Sequence, residues 1–366
     1  MCNFRRLKMV LGCLTLIVVL VVQVVSGQEA QRTNATTGSE NLFYYVNNEQ
    51  CFESLTKNID KISIVAPQVY SVDEDGVVWG SLDPRVIDVA RAHNVGVMPL
   101  IVNPGFDQRM LHRLLVNSQA RSRCISTLVD VCVQYRYLGI QFDLENLNMN
   151  DREAFTKFYQ ETADALHKKG FKLSVAVVHR PEEYAGPTPY HKWLFENWRA
   201  GYDLAELAKA GDFISVMTYD QHTNRTTPGP NAGLPWVKQN VEYFLKFMPP
   251  EKLSLGIPFD SKHWYTMLDT AGFAAKAHSW SRGLDYVSAM GLVSRFDAKV
   301  EWNEQQQVPY AMFDNGGLFE YLYLEDARSF QAKYNLVSTY HLRGFSAWVL
   351  GHEDPGIWKL LAHVSR

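Results

Sequence analysis

Cysteine is scarce in this chain: there are 5 among 366 residues, and only Cys51, Cys124 and Cys132 lie beyond the N-terminal apolar segment. An odd set of this kind is no disulfide framework, so a hydrophobic core must hold the fold. Cys124 and Cys132 fall on one expected helix, about 12 Å apart at 1.5 Å per residue, too far to bridge. Excess charge is lacking too, with a formal net charge of −3 that becomes more negative if Arg5, Arg6 and Lys8 are removed with the N-terminal segment. Without a basic surplus to neutralise phosphates, nucleic acid is excluded as the expected partner. Internal repeats, low-complexity tracts and a paired-histidine strand motif are also missing, and there is one long apolar run.

That run covers residues 9–25, follows Arg5, Arg6 and Lys8, and ends at the small residues Ser26 and Gly27. The pattern predicts an export signal over 1–27. Its length, about 17 residues, is at the short end of a membrane span, so an uncleaved anchor acting as a membrane tether through 9–25 stays open. Either outcome places the chain, expected as a monomer, outside the cell or in the cell envelope. Cys13 precedes most of the run, the wrong order for a lipid-modified cysteine. Residues 28–40 are polar and read as a linker. Asn34-Ala-Thr and Asn224-Arg-Thr fit the N-glycosylation triplet, which is common by chance.

What the chain does have is apolar material, 46% hydrophobic and 13% aromatic, about what one barrel with an insertion uses over 41–366. Short β-rich runs at 42–46, 62–67, 96–102, 139–145, 173–179, 213–220, 253–259 and 344–350 alternate with helical patterns. Eight strands with helical crossovers predict an α/β fold, a (β/α)8 TIM barrel. One helix is expected from Asp83 as N-cap with Pro84 at its first position, another over 124–135. A third follows the fourth strand, with Asn150 as N-cap, Glu153 as its capping-box partner and Gly170 as the stop. Between the seventh and eighth strands the spacing stretches to roughly 85 residues, too long for an ordinary loop, which predicts a small α+β insertion over about 262–335. Asn315-Gly316-Gly317 is its turn signal.

Chemistry concentrates on the fourth strand, Leu138-Gly-Ile-Gln-Phe-Asp-Leu-Glu145. Alternation puts Leu138, Ile140, Phe142 and Leu144 on one face and Gly139, Gln141, Asp143 and Glu145 on the other. The apolar face suits the helical layer, so an amide and two carboxyl groups point into the barrel, at the strand end where this fold keeps active sites. Two adjacent carboxylates repel, which raises one pKa and keeps a proton available for a glycosidic oxygen. On the sixth strand Ser215, Met217 and Tyr219 share a face, with Asp220 next. On the eighth, Trp348 shares a face with Gly344 and Ser346 and could floor a sugar ring. Trp79, Trp236, Trp264, Tyr70 and Tyr265 lie in or near expected loops and could stack on further sugars.

These residues resemble family 18 of the glycoside hydrolases, the chitinase superfamily, and are most similar to the spore-cortex-hydrolase branch often associated with LysM modules. The family signature D-G-x-D-x-D-x-E stands here as Leu138 to Glu145, with Leu138 and Gln141 in place of the two earlier aspartates. M-x-Y-D is present as Met217-Thr-Tyr-Asp220, G-x-x-x-W-x-L-G-x-E-D as Gly344 to Asp354, and Gly256-Ile-Pro-Phe259 is similar to the seventh-strand motif. The resemblance, from about Asn41 to Ala362, implies substrate-assisted, retaining hydrolysis of β-1,4-linked N-acetylhexosamine glycans such as peptidoglycan or chitin. It implies Glu145 as general acid and base, Asp143 and Tyr219 as holders of the substrate acetamido group, and Gln141, Met217, Asp220 and Trp348 as substrate-binding residues. It implies no metal and no organic cofactor. Two other readings stay open: a non-catalytic, lectin-like sugar-binding protein on the same fold, and a metallohydrolase with Asp143, Glu145, His179 and Asp220 as ligands.

Overall fold

The computed structural model describes residues 39–269 and 276–364. The expected signal or tether in 1–27 and residues 28–38 of the expected linker lie outside the described residues. Among the described residues no helix is long and apolar enough to cross a membrane.

The eight expected strands form: β1 (Glu40–Tyr45), β2 (Ile64–Val72), β3 (Leu100–Val102, preceded by the short piece Gly96–Val97), β4 (Gly139–Asp143), β5 (Lys172–Val178), β6 (Phe213–Met217), β7 (Leu253–Pro258) and β8 (Gly344–Trp348). Each pairs in parallel with its sequence neighbours, and β1 pairs with both β2 and β8, so the sheet closes with no free edge. Helices occupy the crossovers, which makes this the (β/α)8 TIM barrel read from the sequence. The short strand Val78–Gly80 pairs antiparallel with the end of β2.

Alternation on β4 holds. Phe142 faces outward and packs on Phe155, Phe158 and Tyr159 of the helix Arg152–His167, with ring centroids 6.4, 5.1 and 5.5 Å away. Gln141 and Asp143 therefore face the axis. Gln141 Nε2 donates to Ser174 Oγ at 2.9 Å and to Ser215 Oγ at 3.2 Å. Ser346 Oγ lies 2.9 Å from Ser215 Oγ and 2.6 Å from Ser254 Oγ. Strands β5 to β8 thus each supply one serine to a neutral, hydrogen-bonded plug that fills the barrel beneath its open end.

Asp83 caps the helix Pro84–Ala92 as expected, accepting from the Arg85 N–H. The helix after β4 starts differently. Asn148, not Asn150, is the capping side chain: it accepts from the Asn150 N–H at the head of a 3₁₀ turn, Met149–Asp151, and the α-helix begins only at Arg152. The tighter turn moves the capped amide upstream, while Asp151 turns its carboxylate to His112 Nδ1 at 2.7 Å. Gly170, at φ +80°, takes the left-handed conformation that ends the element.

Between β7 and β8 a five-stranded antiparallel sheet runs in the order Lys276–Leu284, Ser261–Asp269, Leu318–Tyr323, Val308–Asn315, Val300–Asn303. Helix Tyr286–Arg295 places Ala289 against Ala311, Phe313, Leu322 and Leu324 in a small separate core. Gly316 and Gly317, at φ +68° and +86°, make the two-residue turn between Val308–Asn315 and Leu318–Tyr323. The next helix, Ala327–Thr339, buries Phe330, Leu336 and Val337 in the barrel's own core.

Gly139 begins β4 against β5, where a Cβ would lie 1.9 Å from the Lys172 carbonyl oxygen. Replacing it with alanine must push the two strands apart. We expect Gly139→Ala to cost about 2–3 kcal/mol, seen as a lower urea midpoint. A midpoint equal to the parent's would show that the strands yield at no cost.

Candidate active site

The strand β4 ends at Asp143, two residues short of the expected Glu145. Alternation nevertheless carries on to Glu145, because a side chain takes over from the missing strand partner. Asn103, just after β3, accepts from the Glu145 N–H with Oδ1 at 2.8 Å and donates from Nδ2 to the Glu145 carbonyl at 2.8 Å. The Tyr202 hydroxyl holds the intervening Leu144 carbonyl at 2.9 Å. Asp143 and Glu145 consequently open into one cavity of about 370 Å³ at the barrel mouth, together with Met217, Tyr219, Asp220 and Trp348.

Gln141 stands apart from these six. Expected to touch substrate, it is instead fully buried in the serine plug, its amide N–H groups spent on Ser174 and Ser215, and it does not line the cavity. Of the five aromatic residues expected as further sugar platforms, none lines it either. Trp264 is buried with its indole N–H donated to the Gly229 carbonyl at 2.8 Å, and Tyr70 is buried against Tyr137. Trp236 packs edge-on against His179, Trp79 lies outside the cavities described, and Tyr265 lines a cavity within the insertion.

The two carboxyl groups are poorly compensated. Asp143 is 5% exposed; its Oδ2 receives one long bond from Gln68 Nε2 at 3.4 Å, and its Oδ1 has no partner. Among the described residues no cation pairs with either acid. Burial pushes the Asp143 pKa up to about 6. Burial, then the Asp143 charge, then the Asp220 charge, raise Glu145 well above the usual carboxylate range. Burial likewise keeps the phenols of Tyr44 and Tyr219 protonated, and nearby carboxylates add to the effect, so both are donors. Asp220 is different: 55% of its side chain is exposed, and Lys262 Nζ lies 2.6 Å from its Oδ1. Its left-handed backbone, φ +57°, is anchored by Asn231 Oδ1, which accepts from the Asp220 N–H at 2.8 Å. Trp348 leans on Tyr44, ring centroids 5.5 Å apart, and its peptide bond to Val349 is cis.

A second chamber of about 550 Å³ adjoins the first and shares Glu145, Trp198, Met217, Tyr219 and Asp220 with it. Tyr190, Trp193 and Arg199 line it but not the first. Phe106 and Trp198, ring centroids 5.6 Å apart, stand beside Glu145 from the loops after β3 and β5. Asn224, the acceptor of the second glycosylation triplet, lines this chamber and takes Ser281 Oγ on its Oδ1 at 2.8 Å. His179, a ligand in the metal-based alternative, turns Nε2 to Arg199 at 2.8 Å. Among the described residues no three His, Cys, Asp or Glu side chains converge as a metal site would require. Asn103, Gln68, Tyr44, Lys262, Asn231, Phe106, Trp198 and Arg199 were not singled out from the sequence.

The profile of glycosyl hydrolases family 18 matches residues 42–353. The chain belongs to that family. It is a glycoside hydrolase on a TIM barrel, with chitinases and cortex-lytic enzymes among its relatives. An uncharacterised glycosylase, YvbX of Bacillus subtilis, is 24% identical over 360 residues, covering 97% of this chain and 98% of the relative. The cortical fragment-lytic enzyme of Bacillus subtilis is 27% identical over 278 residues, 75% of this chain and 61% of the relative. Among solved structures, a chitinase from Chromobacterium violaceum superposes with a TM-score of 0.76 at 26% identity, covering 88% of this chain and 97% of the other. The Bacillus cereus spore cortex-lytic enzyme SleL shares the fold, with a TM-score of 0.79 at 21% identity over 90% of this chain and 75% of the other.

The raised Asp143 pKa has a consequence for stability with a definite sign. Below the ordinary aspartate pKa the group is protonated in both states and contributes nothing. Between about 4 and 6 the folded state holds a proton that the unfolded chain has released, so stability falls as pH rises, and the penalty is complete above about 6. Asp143→Asn removes it. The variant should therefore gain on the parent across this window, by on the order of 2–3 kcal/mol at neutral pH. Melting temperatures of both proteins from pH 4 to 8 test this, and a difference that does not change with pH would refute it.

Proposed function

We propose that this glycoside hydrolase cleaves β-1,4-linked N-acetylhexosamine glycans, of the peptidoglycan or chitin type, by a substrate-assisted retaining mechanism. The observation that carries the reading is the pair Asp143 and Glu145, desolvated together without a cation at the barrel mouth, beside a tryptophan wall. Its relatives' names, a cortical fragment-lytic enzyme and chitinases, support the same substrate class.

Glu145, kept protonated by burial and by its acidic neighbours, gives its proton to the glycosidic oxygen as the bond from that oxygen to the anomeric carbon breaks. The substrate's acetamido oxygen forms the new bond to the anomeric carbon, giving a cyclic oxazolinium ion. Asp143, ionised at this step, accepts the hydrogen bond from the acetamido nitrogen and balances the positive charge. Tyr219 donates a hydrogen bond from its hydroxyl to the acetamido oxygen and keeps it aimed. Water then attacks the anomeric carbon from the side the leaving group vacated, Glu145 takes a proton from that water, the bond from the acetamido oxygen to the anomeric carbon breaks to restore the acetamide, and the configuration is retained. Trp348 backs the sugar ring, Met217 packs against it, and Asp220, fixed by Lys262 and Asn231, contacts the distorted sugar. The serine plug beneath, with Gln141, carries no charge and serves to hold β4 in place. The apolar run over residues 9–25, read as an export segment, and the proposed cell-wall-type substrates together support action outside the cell or in the cell envelope.

Two measurements test this. Glu145→Gln should lower turnover of a chitooligosaccharide or a peptidoglycan fragment by about a thousandfold while binding measured by calorimetry persists. Undiminished turnover would remove Glu145 from its role. A substrate with a free amine in place of the acetamido group on the sugar losing its bond should not be cleaved, and cleavage at the parent rate would exclude the substrate-assisted route.

A further inference from the structure

Glu145 faces both chambers, whereas Asp143 and Trp348 face only the first. In the mechanism proposed above Asp143 and Trp348 hold the sugar whose bond breaks, so the leaving unit, attached at the oxygen that Glu145 protonates, extends into the second chamber. One wall there is aromatic: Tyr190 and Trp193 stack with ring centroids 6.0 Å apart. The other feature is a cation in an unusual setting.

Arg199 closes a π-helical turn, Phe195–Arg199, and places its guanidinium on the chamber wall. One of its NH2 groups donates to His179 Nε2 at 2.8 Å, and its Nε has no partner. His179 is neutral, since burial and the Arg199 charge push its pKa down to about 3, and it is fixed in turn by the Met217 and Tyr219 backbone. No carboxylate pairs with Arg199 among the described residues; Glu182 acts on it only at a distance. The other buried or half-buried arginines each have an oxygen acceptor: Arg121 meets Glu161 at 2.8 Å, Arg180 meets Glu183 at 3.5 Å, Arg343 meets Glu40 at 2.7 Å, and Arg152 donates to the Ala200 carbonyl at 2.7 Å. Lys262, the cation of the first chamber, is already paired with Asp220. Arg225 lies over the Tyr190 ring at 5.6 Å and adds a second positive charge at the rim. A desolvated guanidinium held by a neutral imidazole, with donors to spare and no anion, fits an acceptor brought by the ligand.

We infer that the second chamber selects a leaving group bearing a carboxylate, with Arg199 as the residue that binds it and Arg225 assisting. The preferred glycan is then one in which an acidic hexosamine, such as a 3-O-lactyl N-acetylhexosamine, follows the N-acetylhexosamine whose bond is broken. A neutral homopolymer would leave Arg199 without an anion. This rests on the catalytic reading for the direction of the leaving group, and on the chamber itself for the preference.

The test uses the full chain carrying Glu145→Gln, so that binding is read without turnover. Calorimetry is run against three tetrasaccharides that alternate N-acetylglucosamine and N-acetylmuramic acid: one with free lactyl carboxylates, one with these reduced to alcohols, and one with them capped by an Ala–Glu dipeptide. The free acid or the dipeptide form should bind about ten- to a hundredfold more tightly than the alcohol, and which of the two does so tells whether the sugar or its peptide supplies the anion. Adding Arg199→Met should collapse that ratio, and Arg199→Lys should restore part of it. Equal affinity for acid, dipeptide and alcohol forms overturns the inference, as does a ratio that survives Arg199→Met. Failure of the parent enzyme to cleave any of the three while the binding ratio stands would instead sink the catalytic assignment.

Discussion

Two carboxyl groups withdrawn from water, with no cation to neutralise them, are the constraint around which this barrel is arranged. Such a pair destabilises the folded state whenever both are ionised, so the proton that Glu145 holds follows from the burial itself. The rest of the fold must tolerate that cost and keep the groups in place. Closure of the sheet and the aromatic packing of Phe142 on its helix fix β4, while Asn103 and Tyr202 hold the backbone of the two residues beyond it. The plug below the acids is neutral. Where the family signature carries a further aspartate, Gln141 shares its amide with serines, so no third ionisable group on β4 competes with Asp143 and Glu145 for a proton. Titration along the strand is thereby confined to the pair at the mouth.

Much of this was legible in the sequence because it depends on periodicity. An alternating strand must put Gln141, Asp143 and Glu145 on the face opposite Phe142, and eight β-rich runs separated by helical patterns admit few arrangements other than a barrel. The turn at Gly316-Gly317 and the cap at Asp83 were legible for the same kind of reason, since each needs a particular residue at a particular step. Depth was not legible. Alternation says that Gln141 faces the axis but not that two neighbouring strands would bring a serine to meet it and two more would extend the chain of hydrogen bonds, so a residue read as a sugar contact proved to be part of the plug. The cap at Asn148 was missed because a 3₁₀ turn precedes the α-helix, and a turn of that pitch shifts the capping position without altering the residue types.

The loops account for the remaining gap. Phe106, Trp198, Tyr190, Trp193 and Arg199 sit on short helical turns after β3 and β5, which no strand alternation relates to β4, and their approach to Glu145 arises from the circular order of the strands. Some aromatic residues chosen for lying in or near loops went instead to ordinary packing, as Trp264 and Trp236 show. Reading a sugar platform thus requires knowing which loops share a rim, and that is a property of the closed barrel.

The distribution of charge around the mouth then separates its two halves. In the first chamber the lone lysine is committed to Asp220, so the sugar there meets neutral donors, an indole and acids that must handle a proton. In the second chamber Arg199 is held by a neutral histidine whose own contacts run to the backbone of Met217 and Tyr219, residues on the wall both chambers share. A cation paired within the first chamber would lower the pKa of the carboxyl groups and release the proton needed for the leaving oxygen. Arg199 lines the second chamber together with Glu145 but is tied to His179, so it stays charged without an internal anion and leaves Glu145 protonated. Keeping the positive charge on the leaving-group side, and away from pairing with Glu145, therefore lets one barrel mouth hold a protonated acid and an anion-seeking arginine at once.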